Sequence, residues 1–234
     1  MQQPLDEHGS PQRWIFFLLI AGLIAITTLF IVSRLFEYSG PELLNSPYSA
    51  KTEPKIILIG DIRFTVPENM IRRPEQREDA MVQQLDLVML WPELEGFTRD
   101  NQVHFSNSGP DSRLIYATLS QPEQILSSSE RLYTVYSEHF DGDPISGPAR
   151  LIGFAMDPKS SFAGETVYFK PDESEPFVAR CVQPVKGSPT FCMRDIMLTG
   201  KVQLSYRFRL PLLKEWKRMD ETIKDRVTGF VHFP

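Results

Sequence analysis

The 234-residue chain is poor in the side chains that hold metals and do covalent chemistry. It has two cysteines, Cys181 and Cys192, and four histidines, His8, His104, His139 and His232. Two cysteines with no neighbouring histidine or third cysteine make half a zinc site at best, and no two histidines share ligand spacing. There is no Gly-x-Ser-x-Gly elbow, no His-Glu-x-x-His pair, no cysteine–histidine pairing signal and no glycine-rich phosphate loop. The sequence therefore implies no cofactor and no metal, and its catalytic residues, if any, are unknown. An excess of positive charge is missing too. Setting aside Asp6, Glu7 and Arg13 leaves 24 basic side chains against 28 acidic ones, which argues against nucleic acid as a partner.

Long apolar runs are also scarce, and the single exception is informative. Residues Trp14 to Val32 read WIFFLLIAGLIAITTLFIV, with no charge and no proline. Nineteen residues at roughly 1.5 Å each span about 28 Å, close to the hydrocarbon thickness of a bilayer. Thr27 and Thr28 can return their hydroxyls to carbonyls one turn earlier. Arg13 and Arg34 bracket the run, Trp14 sits at one interface and Tyr38 lies beyond the other. A cleaved signal peptide would carry more basic residues before the core and a small-x-small site after it, and SRLFEYSG offers none. A buried soluble helix would show a polar stripe. The expectation is a retained signal-anchor in a single-pass membrane protein, with the lipid bilayer as its first partner.

The flanking charges do not orient this helix. A 13-residue tail left inside, with the domain exported, is the commoner arrangement. The cysteines give a second hint. FVARCV and TFCMRDI are strand-like and enclose Pro184, Gly187 and Pro189, a hairpin pattern in which facing strands bring two thiols together. A Cys181–Cys192 disulfide would add roughly 3 kcal/mol in the chain-entropy model and requires an oxidising compartment such as a bacterial periplasm. Two buried free thiols in a cytosolic domain are the alternative. The expected location is thus the bacterial inner membrane, N-terminus cytoplasmic and C-terminal domain periplasmic.

The organisation read from composition is a polar tail over 1–13, a transmembrane helix over 14–32, a linker over 33–54 and one soluble domain over 55–234. KIILI and IRFTV flank Gly60-Asp61 as a hairpin that Pro67 ends. Residues 72–79 form a charged loop or helix start. LDLVMLW, residues 85–91, is a near-continuous apolar strand, which predicts an interior place in its sheet. RLIYATL over 113–119 is the next strand. Ser120-Gln-Pro-Glu123 matches a capping box for a helix running to about His139, with Ile125, Leu132 and Tyr136 on one stripe. Asp141-Gly142-Asp143-Pro144 reads as the breaker after it.

Strands follow near 150–156, 165–170, 177–182 and 190–198. From Lys201 to Leu210 apolar and polar residues alternate, placing Val202, Leu204, Tyr206, Phe208 and Leu210 on a dry face. Pro211 opens a helix with Leu212, Trp216, Met219, Ile223 and Val227 at helical spacing, ended by Gly229. The fold class is α+β, a mostly antiparallel sheet with about two packed helices.

Among candidate sites, His139 with Asp141 and Asp143 is the densest ligand cluster, and its spacing does not complete a calcium loop. The wet face of the 201–209 strand carries Lys201, Arg207 and Arg209, a candidate interaction face for anionic headgroups, envelope polymer or a protein. Trp91-Pro92 and the acidic-apolar run to Phe97 read as a loop tucked onto the sheet.

Several segments together resemble a known family: Val66-Pro67 with Ile71-Arg72, Leu85-Asp86-Leu87 leading to Trp91-Pro92 and Gly96-Phe97, Phe177-Val-Ala-Arg-Cys181, Cys192-Met-Arg-Asp195 and Leu204-Ser-Tyr-Arg-Phe208. They are similar to an uncharacterised family of proteobacterial proteins with a single N-terminal membrane helix and a C-terminal soluble domain. The resemblance covers most of residues 56–220. It implies an inner-membrane setting and transfers no activity and no functional residue. The reading is a membrane-anchored envelope protein, a non-enzymatic binding or accessory component of an inner-membrane complex with a membrane or periplasmic protein partner. Its rival is a periplasmic hydrolase whose site, built on His104 or His139, assembles in space.

Overall fold

The computed structural model describes residues 11–39, 47–121, 126–171, 174–182, 189–199 and 202–232, and the chain divides into two units, 1–46 and 47–234. The first holds helix α1, Pro11–Ser39. It contains an apolar stretch, Trp14–Ile31, long enough to cross a membrane, with every side chain exposed within its unit. Thr27 and Thr28 donate to the Leu23 and Ile24 carbonyls at 2.7 Å each, so neither hydroxyl is left unbonded in an apolar surrounding.

The second unit is α+β. Strands β1 (Pro54–Ile59) and β2 (Ile62–Pro67) form the hairpin around Gly60, whose φ of 61° suits glycine. The short β3 (Ala80–Met81) runs parallel to β1. There follow β4 (Gln84–Leu90), the single turn α2 (Gln102–Phe105), β5 (Leu114–Ser120), α3 (Ser128–Thr134), β6 (Phe140–Ser146), β7 (Ile152–Met156), β8 (Glu165–Phe169), β9 (Val178–Val182), β10 (Phe191–Thr199), β11 (Val202–Arg209), α4 (Trp216–Thr228) and β12 (Val231–His232). One sheet has the order β12-β2-β1-β3. The other, fully antiparallel, has the order β4-β5-β11-β10-β9-β8-β7-β6.

The main core lies between the sheets. Ile57, Ile59, Phe64 and Val66 meet Leu85, Leu87, Ala117 and Leu119, and all are buried. The alternation expected for β11 is present, with Val202, Leu204, Tyr206 and Phe208 turned into this core. Trp216, Met219, Ile223 and Val227 line the buried stripe of α4, and a 3-10 segment, Leu210–Glu215, leads into it. Cys181 and Cys192 face one another across β9 and β10, form a disulfide and are fully buried in the same core.

Three expectations need correction. First, Ser120 does not cap a helix, because it is the last residue of β5, paired to Gln203 and to Gln84. The capping box is the second Ser-x-x-Glu in that stretch: Ser127 Oγ accepts the Glu130 amide and the Glu130 carboxylate accepts the Ser127 amide. The helix begins there, while Ile125 lies outside the described residues. Leu132 and Tyr136 are buried as expected. Second, residues 141–144 continue into β6, through a bulge that absorbs Gly142 and Pro144. Third, β4 is an edge strand and not an interior one. Its apolar run has another cause, since both faces are covered: Leu85, Leu87 and Met89 belong to the main core, whereas Val88 and Leu90 pack under Phe97 and Phe105.

One strand position breaks the alternation rule. Arg194 on β10 points inward and is only 3% exposed. Asp220 of α4 accepts from it at 3.0 and 3.4 Å. The Val178 carbonyl accepts at 3.2 Å, and the guanidinium stands 4.7 Å from the Phe177 ring centroid. Tyr206 donates to Asp220 at 2.6 Å, and Lys224 completes the cluster at 2.8 Å. Each charge is paired and hydrogen-bonded, which is the condition under which buried ions are tolerated.

Candidate interaction site on the outer sheet face

The register places a second set of side chains on the opposite face of the eight-stranded sheet. Asp86, Tyr116 and Thr118, Ser205 and Arg207, and Met193 and Asp195 come from β4, β5, β11 and β10 in turn, because Val88 and Arg207 pair with Tyr116, and Met193 with Arg207. Both ends of this face are covered. Tyr48, Phe97 and Phe105 pack over Val88, Leu90 and Leu114. At the other end Leu132, Tyr136 and Phe162 pack over Met156, Val167 and Val178. Between these covers the floor is open across β5, β11 and β10, roughly 10 Å at the usual strand spacing. It holds two adjoining recesses of about 250 and 330 Å³ that share Arg72, Tyr116 and Arg207.

The chemistry of this trough is asymmetric. Its acids are already paired. Asp86 accepts from Arg73 at 2.6 Å, from Thr118 at 2.8 Å and from Gln84. Asp195 accepts from Arg131 at 2.7 Å and from Ser205 at 2.6 Å. Glu165, further along the face, holds Arg180 at 2.9 Å.

Two of its cations are held differently. The Arg207 guanidinium stands 5.4 Å from the Tyr116 ring centroid and 5.2 Å from that of Phe191. Arg72 stands 4.9 Å from the Tyr116 centroid. Among the described residues no carboxylate forms an ion pair with either. A cation–π contact engages the charge of a guanidinium and leaves its N–H donors unused. Within the cover Tyr48 hydrogen-bonds Tyr116, and burial, then the Tyr116 neighbour, pushes the Tyr48 hydroxyl up to about 12, against the opposing charge of Arg72. The Tyr48 hydroxyl is thereby held neutral beside the Tyr116 ring.

The three cations singled out in the sequence part company here. Arg207 is exposed on the trough floor. Arg209 donates to the Pro189 carbonyl at 3.2 Å and the Ser108 carbonyl at 2.6 Å, so it ties chain segments together. Lys201 lies outside the described residues. Arg72, Tyr116 and Phe191 were missed. Tyr116 and Phe191 are outward positions whose partners only the strand register reveals, and Arg72 comes from the charged loop before β3. Of the histidines, His104 faces the Arg113 guanidinium at 3.4 Å, a cation that cannot orient it as a carboxylate orients a catalytic histidine. His139 packs against the Phe162 ring. The described residues contain no cluster of three or more metal-ligating side chains.

No protein-family model and no curated protein matches the chain. Two solved structures are similar in fold. An immunity protein of the Stenotrophomonas maltophilia type IV secretion system aligns with a TM-score of 0.54 at 13% identity, over 78% of this chain and 95% of that one. The Neisseria meningitidis iron-regulated outer membrane lipoprotein FrpD aligns with a TM-score of 0.48 at 12% identity, over 80% and 96%. The likeness to the first is one of α+β architecture.

Proposed function

We propose that this chain is a membrane-anchored accessory protein of the bacterial envelope that works by binding another protein and not by catalysis. In this reading α1 is a retained anchor in the inner membrane, the N-terminus is cytoplasmic and the α+β unit is periplasmic. The apolar stretch of α1 supports the anchor, and the disulfide supports an oxidising compartment. The resemblance to proteobacterial proteins of the same layout agrees with the anchor. An immunity protein of similar fold supports an accessory role for this architecture.

The observation that carries the binding reading is the trough. A patch combining aromatic rings with arginines that no carboxylate pairs has the composition of an interface centre. The test is photocrosslinking in living cells. A benzophenone amino acid at Met193 on the trough floor is expected to give a discrete protein adduct, and one at the exposed Tyr133 of α3 is not. Equal, diffuse labelling from both positions, or none from Met193, refutes the binding reading.

A further inference from the structure

We infer that the trough recognises a carboxylate side chain of the partner, an aspartate or glutamate inserted between Arg72 and Arg207 over the Tyr116 ring. This inference rests on the protein-binding reading above and deepens it. Charge complementarity is its first support. Asp86, Asp195 and Glu165 are each matched by an arginine, and the Arg209 guanidinium at the rim spends its donors on two carbonyls, so the local surplus is positive and its open donors are those of Arg72 and Arg207. Both guanidiniums lie within 5.4 Å of one ring centroid and both line the two adjoining recesses, so a single acidic group entering there meets the positive field of both. Their forked donors match the two oxygens of a carboxylate. The aromatic contacts fix the arginine stems beforehand, which lowers the entropy lost on binding.

Shape separates the sources of negative charge. The floor is recessed between two packed covers, one built on Tyr48, Phe97 and Phe105, the other on Leu132, Tyr136 and Phe162. A flat layer of lipid headgroups does not reach such a floor, whereas a protruding side chain does. The recess walls include Phe191, Pro189, Leu114 and Met193, which suit the methylene stem and apolar neighbours of an acidic residue and offer nothing to free phosphate.

The experiment follows the Met193 adduct in permeabilised cells carrying the full chain. Poly-L-glutamate is added as the carboxylate probe, with inorganic phosphate and phosphatidylglycerol vesicles as the competing anions. Poly-L-glutamate is expected to suppress the adduct about tenfold, and phosphate and vesicles at matched charge much less. R72Q and R207Q are each expected to lower adduct yield by about tenfold, with R207K recovering only part of the loss, because it restores charge without the fork. Unfolding midpoints of the same variants check that each remains folded. Suppression by phosphate or by vesicles as strong as that by poly-L-glutamate overturns the carboxylate assignment. So does an adduct indifferent to R72Q and R207Q, which would leave protein binding at the trough standing. Absence of the wild-type adduct removes the binding reading itself, and this inference with it.

Discussion

Replacing Asp220 by Asn keeps the shape of the side chain and removes its charge from the most buried ionic cluster among the described residues. Arg194, 3% exposed, would then have no counter-ion within the core, and Tyr206 would donate to a weaker acceptor. Lys224 is more than a third exposed and can turn to water, so its loss counts for little. Stranding one member of a buried pair costs about 3–5 kcal/mol. The double variant Arg194→Met with Asp220→Leu removes both charges and is expected to be roughly neutral, because desolvation and attraction disappear together.

The assay is equilibrium urea unfolding of the full chain in mild detergent, followed by fluorescence of the buried Trp91 and Trp216. The pH dependence provides a second reading. Burial raises the Asp220 pKa, but Arg194, Lys224 and the hydrogen bonds to the carboxylate outweigh it and hold it below its ordinary 3.8. The carboxylate therefore contributes its full stabilisation above about pH 4 and loses it as pH falls through the lowered folded value. The gap between wild type and D220N should close in that acid range. A D220N cost under 1 kcal/mol, or a double variant as unstable as the single one, would refute the account.

Four further outcomes are expected. Reducing the Cys181–Cys192 bond, or replacing both residues by Ala, should lower unfolding stability by roughly 3 kcal/mol for a sequence separation of 11. Thiol alkylation of denatured cell extracts should label both cysteines only after reduction, and free thiols in cells would contradict a periplasmic domain. Gly96→Ala should cost about 1–3 kcal/mol by the same urea assay, because the new methyl would meet the Asn69 amide at 2.6 Å, and Asn69 is buried and pinned to the Phe97 carbonyl. Intact-mass measurement of the chain from membranes should show α1 still attached, and a product truncated after residue 32 would mark a cleaved leader instead.

Local patterns were legible where one face of an element meets one environment. The period-two run of β11 and the helical stripe of α4 were readable because each has a single dry side. The same logic misplaced β4, since a strand covered on both faces by loops and a second sheet has the apolar signature of an interior strand. It also chose the first of two Ser-x-x-Glu boxes, because local capping chemistry cannot report that Ser120 is already committed to a sheet ladder. Of the candidate site, only Arg207 was foreseen as a free cation. Arg209 had the same pattern, yet its donors go to two carbonyls, one of them 101 residues away.

By itself the sequence determined the long apolar helix, the α+β class and the pairing potential of the two cysteines, since these depend on length, periodicity and close spacing along the chain. The tertiary structure decided which charges are spent and which are open. Arg194 and Arg207 lie on the same β-hairpin and look alike in sequence. Register turns the first into the core against Asp220 and the second outward onto Tyr116 and Phe191. A side chain's role here depends on what the neighbouring strands and α4 bring to it, and no local pattern encodes that.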